Sequence, residues 1–178
     1  MSKQRTANLL GALACEIADK LDQRLMEHHS ETDSAASALN IIGYYDGCSN
    51  SALSRALRLS HTATVRLVDK LEASGLVTSE PGEDRRSVAL HLTKAGKARA
   101  RRVVVERNEV LNDIIKVLTP RQREHLDTVA EALLLALTDS TDIANHICRL
   151  CDDHACPPDD CPVHQAALKL ERSASAAS

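Results

Sequence analysis

The sequence predicts a mostly α-helical fold that carries one small β-hairpin, and three observations predict it. Leu, Ile, Val and Ala supply the apolar residues, with no Trp, no Phe and only two tyrosines, Tyr44 and Tyr45. A core of that composition suits packed helices. Apolar residues recur every three to four positions along most of the chain, which is the helical period. That period gives way to strand-like runs in one region, between Leu76 and Leu92.

Taken in order, Leu9, Leu10, Leu13, Ile17, Leu21 and Leu25 form the stripe of a long amphipathic helix from Ala7 to His29. The polar break Ser30–Ser34 separates it from a second helix, about Ala35 to Tyr45, which Asp46-Gly47 closes. Ser51 to Leu59 is a short helix. Ser60 is placed to cap the next one, His61 to Ser74, and Gly75 ends it as a C′ residue. Leu76–Ser79 and Ser87–Leu92 read as two strands around the charged turn Glu80–Arg86. Thr93 caps a long helix running to about Val117. Thr119-Pro120-Arg121-Gln122 joins an N-cap, a Pro at N1 and a Gln at N3, and so opens a helix that carries Leu126, Val129, Leu133, Leu134 and Leu137. The Ala/Ser-rich end, Ser173 to Ser178, is expected to be disordered.

Length and charge narrow the function. A chain of 178 residues with net charge −3 suits one domain with extensions and excludes a globally basic nucleic-acid coat. Charge is uneven: residues 45–100 hold nine Lys/Arg against six Asp/Glu, whereas residues 139–178 hold three against seven. A polyanion is attracted to the middle and repelled by the tail. The near absence of aromatics argues against stacking of single-stranded bases. No apolar run reaches membrane-spanning length and Met1–Thr6 lacks a signal-peptide layout, so a cytoplasmic location with reduced thiols is expected. No Ser/His/Asp order, Gly-rich phosphate loop or carboxylate pair points to catalysis, and no enzyme is expected.

Two helices joined by a tight turn and followed by a hairpin with a basic tip make a winged helix-turn-helix. Its second helix fits the DNA major groove, and the hairpin reaches the minor groove or phosphates. Val65, Val68 and Leu71, with Leu67 nearby, are expected to pack inward. Ser60, His61, Thr62, Thr64, Arg66 and Lys70 are the candidate DNA contacts on this helix, Asp84, Arg85 and Arg86 those on the wing. Arg55 reads equally as a phosphate contact or a solvated charge. Arg58 stands in the turn before Ser60, where a Gly would be comfortable.

The run from Ser51 to Leu76, ending Thr64-Val65-Arg66-Leu67-Val68-Asp69-Lys70-Leu71-Glu72-Ala73-Ser74-Gly75-Leu76-Val77, resembles the MarR family of bacterial transcription regulators. So does the wing Asp84-Arg85-Arg86-Ser87-Val88-Ala89-Leu90-His91-Leu92-Thr93, with the D-x-R…L-T pattern. The resemblance covers roughly residues 7 to 138. It implies a homodimer held by the first helix and the last two, which binds palindromic double-stranded operators and usually represses. It also implies release of DNA when a phenolic ligand, a metal or an oxidant alters the dimer. The division expected is 1–34 and 94–145 for dimerisation around a DNA-binding domain at 35–93, then a cysteine module at 146–165 and a tail at 166–178.

The resemblance leaves the tail unexplained. Cys148, Cys151, Cys156 and Cys161 stand in a C-x2-C-x4-C-x4-C pattern. The first pair is close enough to chelate one centre, and two further thiols complete a tetrahedral set. An iron–sulfur cluster and Zn2+ both suit four thiolates. The cluster is favoured because a regulator needs an input, and Pro162 after Cys161 resembles the end of ferredoxin ligand runs. His154 can replace one thiol, while His146 and His164 read as surface residues. Zinc that merely stabilises a regulator responding to a small ligand in the dimer pocket, a thiol redox switch and unliganded thiols are the alternatives. A thiol–disulfide enzyme would need Cys148-Arg149-Leu150-Cys151 at a strand-to-helix junction, which the sequence lacks. A zinc-stabilised protein-binding module would not require the basic wing. The module is expected beside the dimerisation helices. Cys15 is expected in the core, and Cys48 is left open between filler and exposed thiol.

Overall fold

The computed structural model describes residues 2–29, 33–82, 88–152 and 154–176. The helices are α1 (Lys3–His29), α2 (Asp33–Tyr44), α3 (Asn50–Leu57), α4 (His61–Ala73), α5 (Lys94–Ile115), α6 (Pro120–Leu137), α7 (Thr141–Ile147) and α8 (Pro162–Ala176). Strands β1 (Val77–Pro81) and β2 (Val88–Leu92) pair antiparallel between α4 and α5, with Val77 opposite Leu92 and Pro81 opposite Val88. An isolated bridge from Cys48 to Leu90 adds a short third edge to the wing. No helix among the described residues is long and apolar enough to cross a membrane.

The sequence explains most of these boundaries. Ser49, Ser60, Thr93, Thr119 and Ser140 each sit in extended conformation ahead of a helix and accept a backbone N–H within its first turn. Thr119 and Gln122 complete the reciprocal capping box. Gly75, at φ +69°, ends α4 as expected. Its carbonyl accepts the Thr93 hydroxyl at 2.7 Å while Leu76 O accepts Thr93 N–H at 3.0 Å, so one residue ties the base of the wing to α5.

The principal core lies inside the winged domain. Leu39, Ile42, Leu53 and Leu90 are fully buried there, joined by Val68, Leu71 and Val77. A second cluster joins Ala144 of α7 to Cys161, Val163 and Ala167 at the start of α8. By contrast, α6 has no buried residue, and Leu9, Leu10 and Leu13 of α1 are about half exposed.

The tail departs from expectation in two ways. The chain is helical to Ala176, where composition predicts disorder, because α8 packs against α6 and α7. The cysteine module, expected beside the dimerisation helices, is shared between regions: α8 rests on α6, whereas α7 lies against α3 of the winged domain.

Candidate functional site

Helix α4 is held from beneath and open above. Val68 and Leu71 are buried, Leu67 packs against the core, and His61, Thr62, Arg66 and Lys70 are exposed. Thr62, Arg66 and Lys70 follow at four-residue spacing and share one face. Ser60 is exposed too, although its hydroxyl already accepts Ala63 N–H at 3.2 Å. Thr64 corrects the sequence reading, which assigns it to the DNA side. It is fully buried, and its hydroxyl donates to Ser60 O at 3.1 Å. A threonine can satisfy its own hydroxyl on the preceding turn, so it takes a core position that polarity alone reserves for solvent. Val65, expected to pack inward, is only half-buried.

The turn feeding α4 depends on Arg58, the non-glycine residue at positive φ among the described residues (φ 55°, ψ 37°). Its N–H closes α3 onto Arg55 O and Ser54 O. The left-handed geometry thus forms without glycine, at the usual steric cost of a Cβ. Arg55 is paired, its Nε lying 3.2 Å from Asp142 Oδ1 of α7. Asp84, Arg85 and Arg86 lie outside the described residues.

The four cysteines of the tail meet along one wall. Cys148 forms the C-cap of α7, and Cys161 directly precedes α8, where its sulfur accepts His164 N–H at 3.5 Å. Cys148 is hydrogen-bonded to both Cys151 and Cys161, and Cys156 to Cys161. The hydrogen bond from Cys148 brings the Cys151 thiol down to about 6, with the Arg107 and Arg149 guanidinium groups acting in the same sense against burial. The same bond, then burial, pushes Cys148 far up. Burial and the bond with Cys161 raise Cys156 to about 11. All four line a cavity of about 460 Å3, together with Tyr44 and Tyr45.

The donor set suits a soft metal centre. Four sulfurs adjoin one cavity, and two arginines stand by to offset the charge of the thiolates. Among the described residues, however, no three His, Cys, Asp or Glu side chains already surround a single metal position. Holding four sulfurs on one centre requires the thiol protons to leave. His154 is exposed. Cys15 is exposed, contrary to the core position expected, because the first half of α1 lies open along its length. Cys48 is half-buried against the winged core, and burial beside Asp46 raises its thiol to about 11.

Several residues that matter here are not singled out by the sequence. Asn40, buried on α2, donates to Arg149 O at 2.9 Å and to Cys151 O at 3.4 Å. Tyr44 OH donates to Cys151 O at 2.7 Å, and Tyr45 OH bonds Asn145 Oδ1 at 2.9 Å. His146, read from the sequence as a surface residue, is instead half-buried and lies 2.9 Å from Ala56 O through Nδ1, which must carry the proton because a carbonyl only accepts. Burial first, then the nearby Arg149 and Arg58, hold this ring below its ordinary value. The available signal is a lone amide, Asn40, in the apolar run of α2, with the two tyrosines four and five residues further on.

Comparison with known proteins agrees with this geometry. A family model described as MarR family matches residues 32–87. No curated protein matches the chain in sequence. Among solved structures, the chain resembles FabT of Streptococcus pneumoniae in complex with DNA, at TM-score 0.68 and 20% identity over 78% of this chain and 99% of that one. It also resembles a mutant form of MarR from E. coli (TM-score 0.65, 20% identity, 75% and 97% covered). A third is MepR, a transcription regulator of the Staphylococcus aureus multidrug efflux pump MepA (TM-score 0.63, 19% identity, 74% and 97% covered). Residues 32–87 thus match the MarR family model, and the likeness in winged-helix fold to these structures extends over some three quarters of the chain.

Proposed function

We propose that the protein is a non-enzymatic, cytoplasmic transcription regulator of the repressor type. It binds a palindromic double-stranded operator as a homodimer, and its C-terminal cysteines tune that binding. The observation that carries the DNA reading is the outer face of α4, where Thr62, Arg66 and Lys70 stand exposed in line over a buried Thr64–Val68–Leu71 base. A helix so presented enters the major groove, with side chains reading base edges and cations meeting phosphates. The exposed apolar stripes of α1 and α6 favour the dimer, since a two-fold partner would cover them.

For the input, Cys148, Cys151, Cys156 and Cys161 would hold an iron–sulfur cluster or Zn2+. A cluster would supply sensitivity to oxidant, and zinc would fasten the two ends of the module. A cluster is favoured, because the sulfurs adjoin a cavity of about 460 Å3 and structural zinc sites are closed. The acidity of Cys151, bonded by Cys148, favours one other reading, a thiol redox switch within that pair.

The DNA reading is tested on a duplex selected by the full chain from random sequence. Arg66→Ala or Lys70→Ala should weaken binding and lower the salt slope by about one for each phosphate left without its cation. Unchanged affinity in the double variant overturns α4 as the DNA-contacting helix. The Arg85→Ala/Arg86→Ala pair tests the wing in the same way. For the input, protein purified without oxygen should be brown and absorb near 400 nm, on the order expected of thiolate–iron charge transfer, if a cluster is bound. A colourless protein that yields zinc to a chelator selects zinc, and a metal-free protein that oxidises at Cys148 and Cys151 selects the switch.

A further inference from the structure

We propose that the C-terminal segment is a clamp within one subunit: α7 and the Cys148–Cys151 turn grip α2 and α3 of their own chain. A change at the thiols then reaches the DNA-reading helix without crossing a dimer interface. This rests on the reading that the four cysteines hold a metal centre.

The grip is polar and specific. Asn40 is the amide in the otherwise mostly apolar buried run of α2, and it donates to the carbonyls of Arg149 and Cys151, two residues inside the C-x-x-C turn. Tyr44 OH adds a second donor to Cys151 O, and Tyr45 OH holds Asn145 of α7. The two aromatic residues of the chain are therefore both engaged in this contact. Asn108 of α5 donates to Asp152 at 2.9 Å and fixes the turn from its other side.

The second half of the grip lies on α3. His146 bonds Ala56 O in the last turn of that helix, and Asp142 pairs with Arg55 one residue before. Arg58, Leu59 and Ser60 then lead directly into α4, with Arg58 set in the left-handed conformation. So short a connection carries a displacement of α3 into the orientation of α4. Ligation of Cys148 and Cys151 would fix the backbone of the turn whose carbonyls α2 holds, and with it the α7 helix that ends at Cys148. The pairing of Asp142 with Arg55 adds an electrostatic link. It sets a tail carboxylate against a cation of the helix-turn-helix, so loosening the clamp also frees Arg55.

The test uses the full-length reduced chain and Zn2+ alone as probe, read by hydrogen exchange and by tyrosine fluorescence, which without tryptophan reports on Tyr44 and Tyr45. Zn2+ should slow amide exchange in α2 and α3 as well as in residues 141–165, on the order of tenfold, and should change the tyrosine emission. The Tyr44→Phe/Tyr45→Phe pair should still bind Zn2+ but lose much of the effect on α2 and α3. The surface change Asp142→Asn should speed exchange in α3 while leaving Zn2+ binding intact. Zn2+ that binds the unaltered chain but protects only residues 141–165 overturns the clamp and leaves the metal reading standing. A chain that fails to bind Zn2+ overturns both.

Discussion

Threonine 64 illustrates how the same residue type can serve opposite sides of a helix. Its hydroxyl finds an acceptor at Ser60 O, so the methyl group can face Val68 and Leu71 without leaving a polar atom unsatisfied. Arg58 illustrates the reverse, a residue kept in a conformation its side chain disfavours. Arg58→Gly removes that conflict and should stabilise the chain by about 1 kcal/mol, raising Tm by roughly 2–4 °C in thermal unfolding. An unchanged or lower Tm means that the arginine contributes contacts worth more than the strain. The thiols differ as sharply. In the reduced, metal-free chain near pH 7, Cys151, at about 6, is largely thiolate, whereas Cys48, at about 11, stays protonated. Iodoacetamide should therefore label Cys151 well before Cys48, read by mass spectrometry of the peptides. The opposite order would mean that burial outweighs the bond from Cys148 and the two arginines.

Among the elements, the wing is tied to the rest of the chain at one crowded joint. Gly96 lies in the first turn of α5, and a Cβ added there would come within 2.0 Å of Leu76 O, a backbone atom that cannot swing aside. Gly96→Ala must push the start of α5 away from the base of β1, and with it the Thr93 bonds to Gly75 and Leu76. A loss of about 1–3 kcal/mol is expected in denaturant unfolding. A far smaller loss would mean that the hairpin base shifts freely. The caps act more locally. Five helices begin at a Ser or Thr whose side chain accepts a first-turn N–H, so their starts are set by near neighbours and need no tertiary support. Helix α8 differs, since Cys161 stands where such a cap would and its first turns are buried against α7.

At the scale of the whole molecule, apolar surface is left without a partner. Leu9, Leu10 and Leu13 on α1, and Leu126, Val129 and Leu133 on α6, are each 41–56% exposed. Stripes of that kind mark an association surface. Leu13→Glu should turn a dimer into a monomer with weakened operator binding, measured by sedimentation at micromolar concentration. A monomer in the unaltered protein, or a dimer that persists in the variant, removes α1 from the interface.

What the sequence by itself determined is local. The helical period, the serine and threonine caps, Gly75 and the return of strand pattern at Leu76 are all set by residues within a few positions of one another. They were enough to place a winged helix-turn-helix and to mark the outer residues His61, Thr62, Arg66 and Lys70. The cysteine spacing likewise named the four thiols that meet along one cavity. Only the tertiary structure decided which way Thr64 turns, that Cys15 is exposed, and that α7 rests on α3 with Asp142 against Arg55. It also decided the order and packing of the tail. The packing of the tail depends on groups some thirty to one hundred residues apart, such as Asn40 with the carbonyl of Arg149 or Thr141 with Glu171. Periodicity carries no record of such pairs, because a buried amide or a surface carboxylate finds its partner only once the chain has packed.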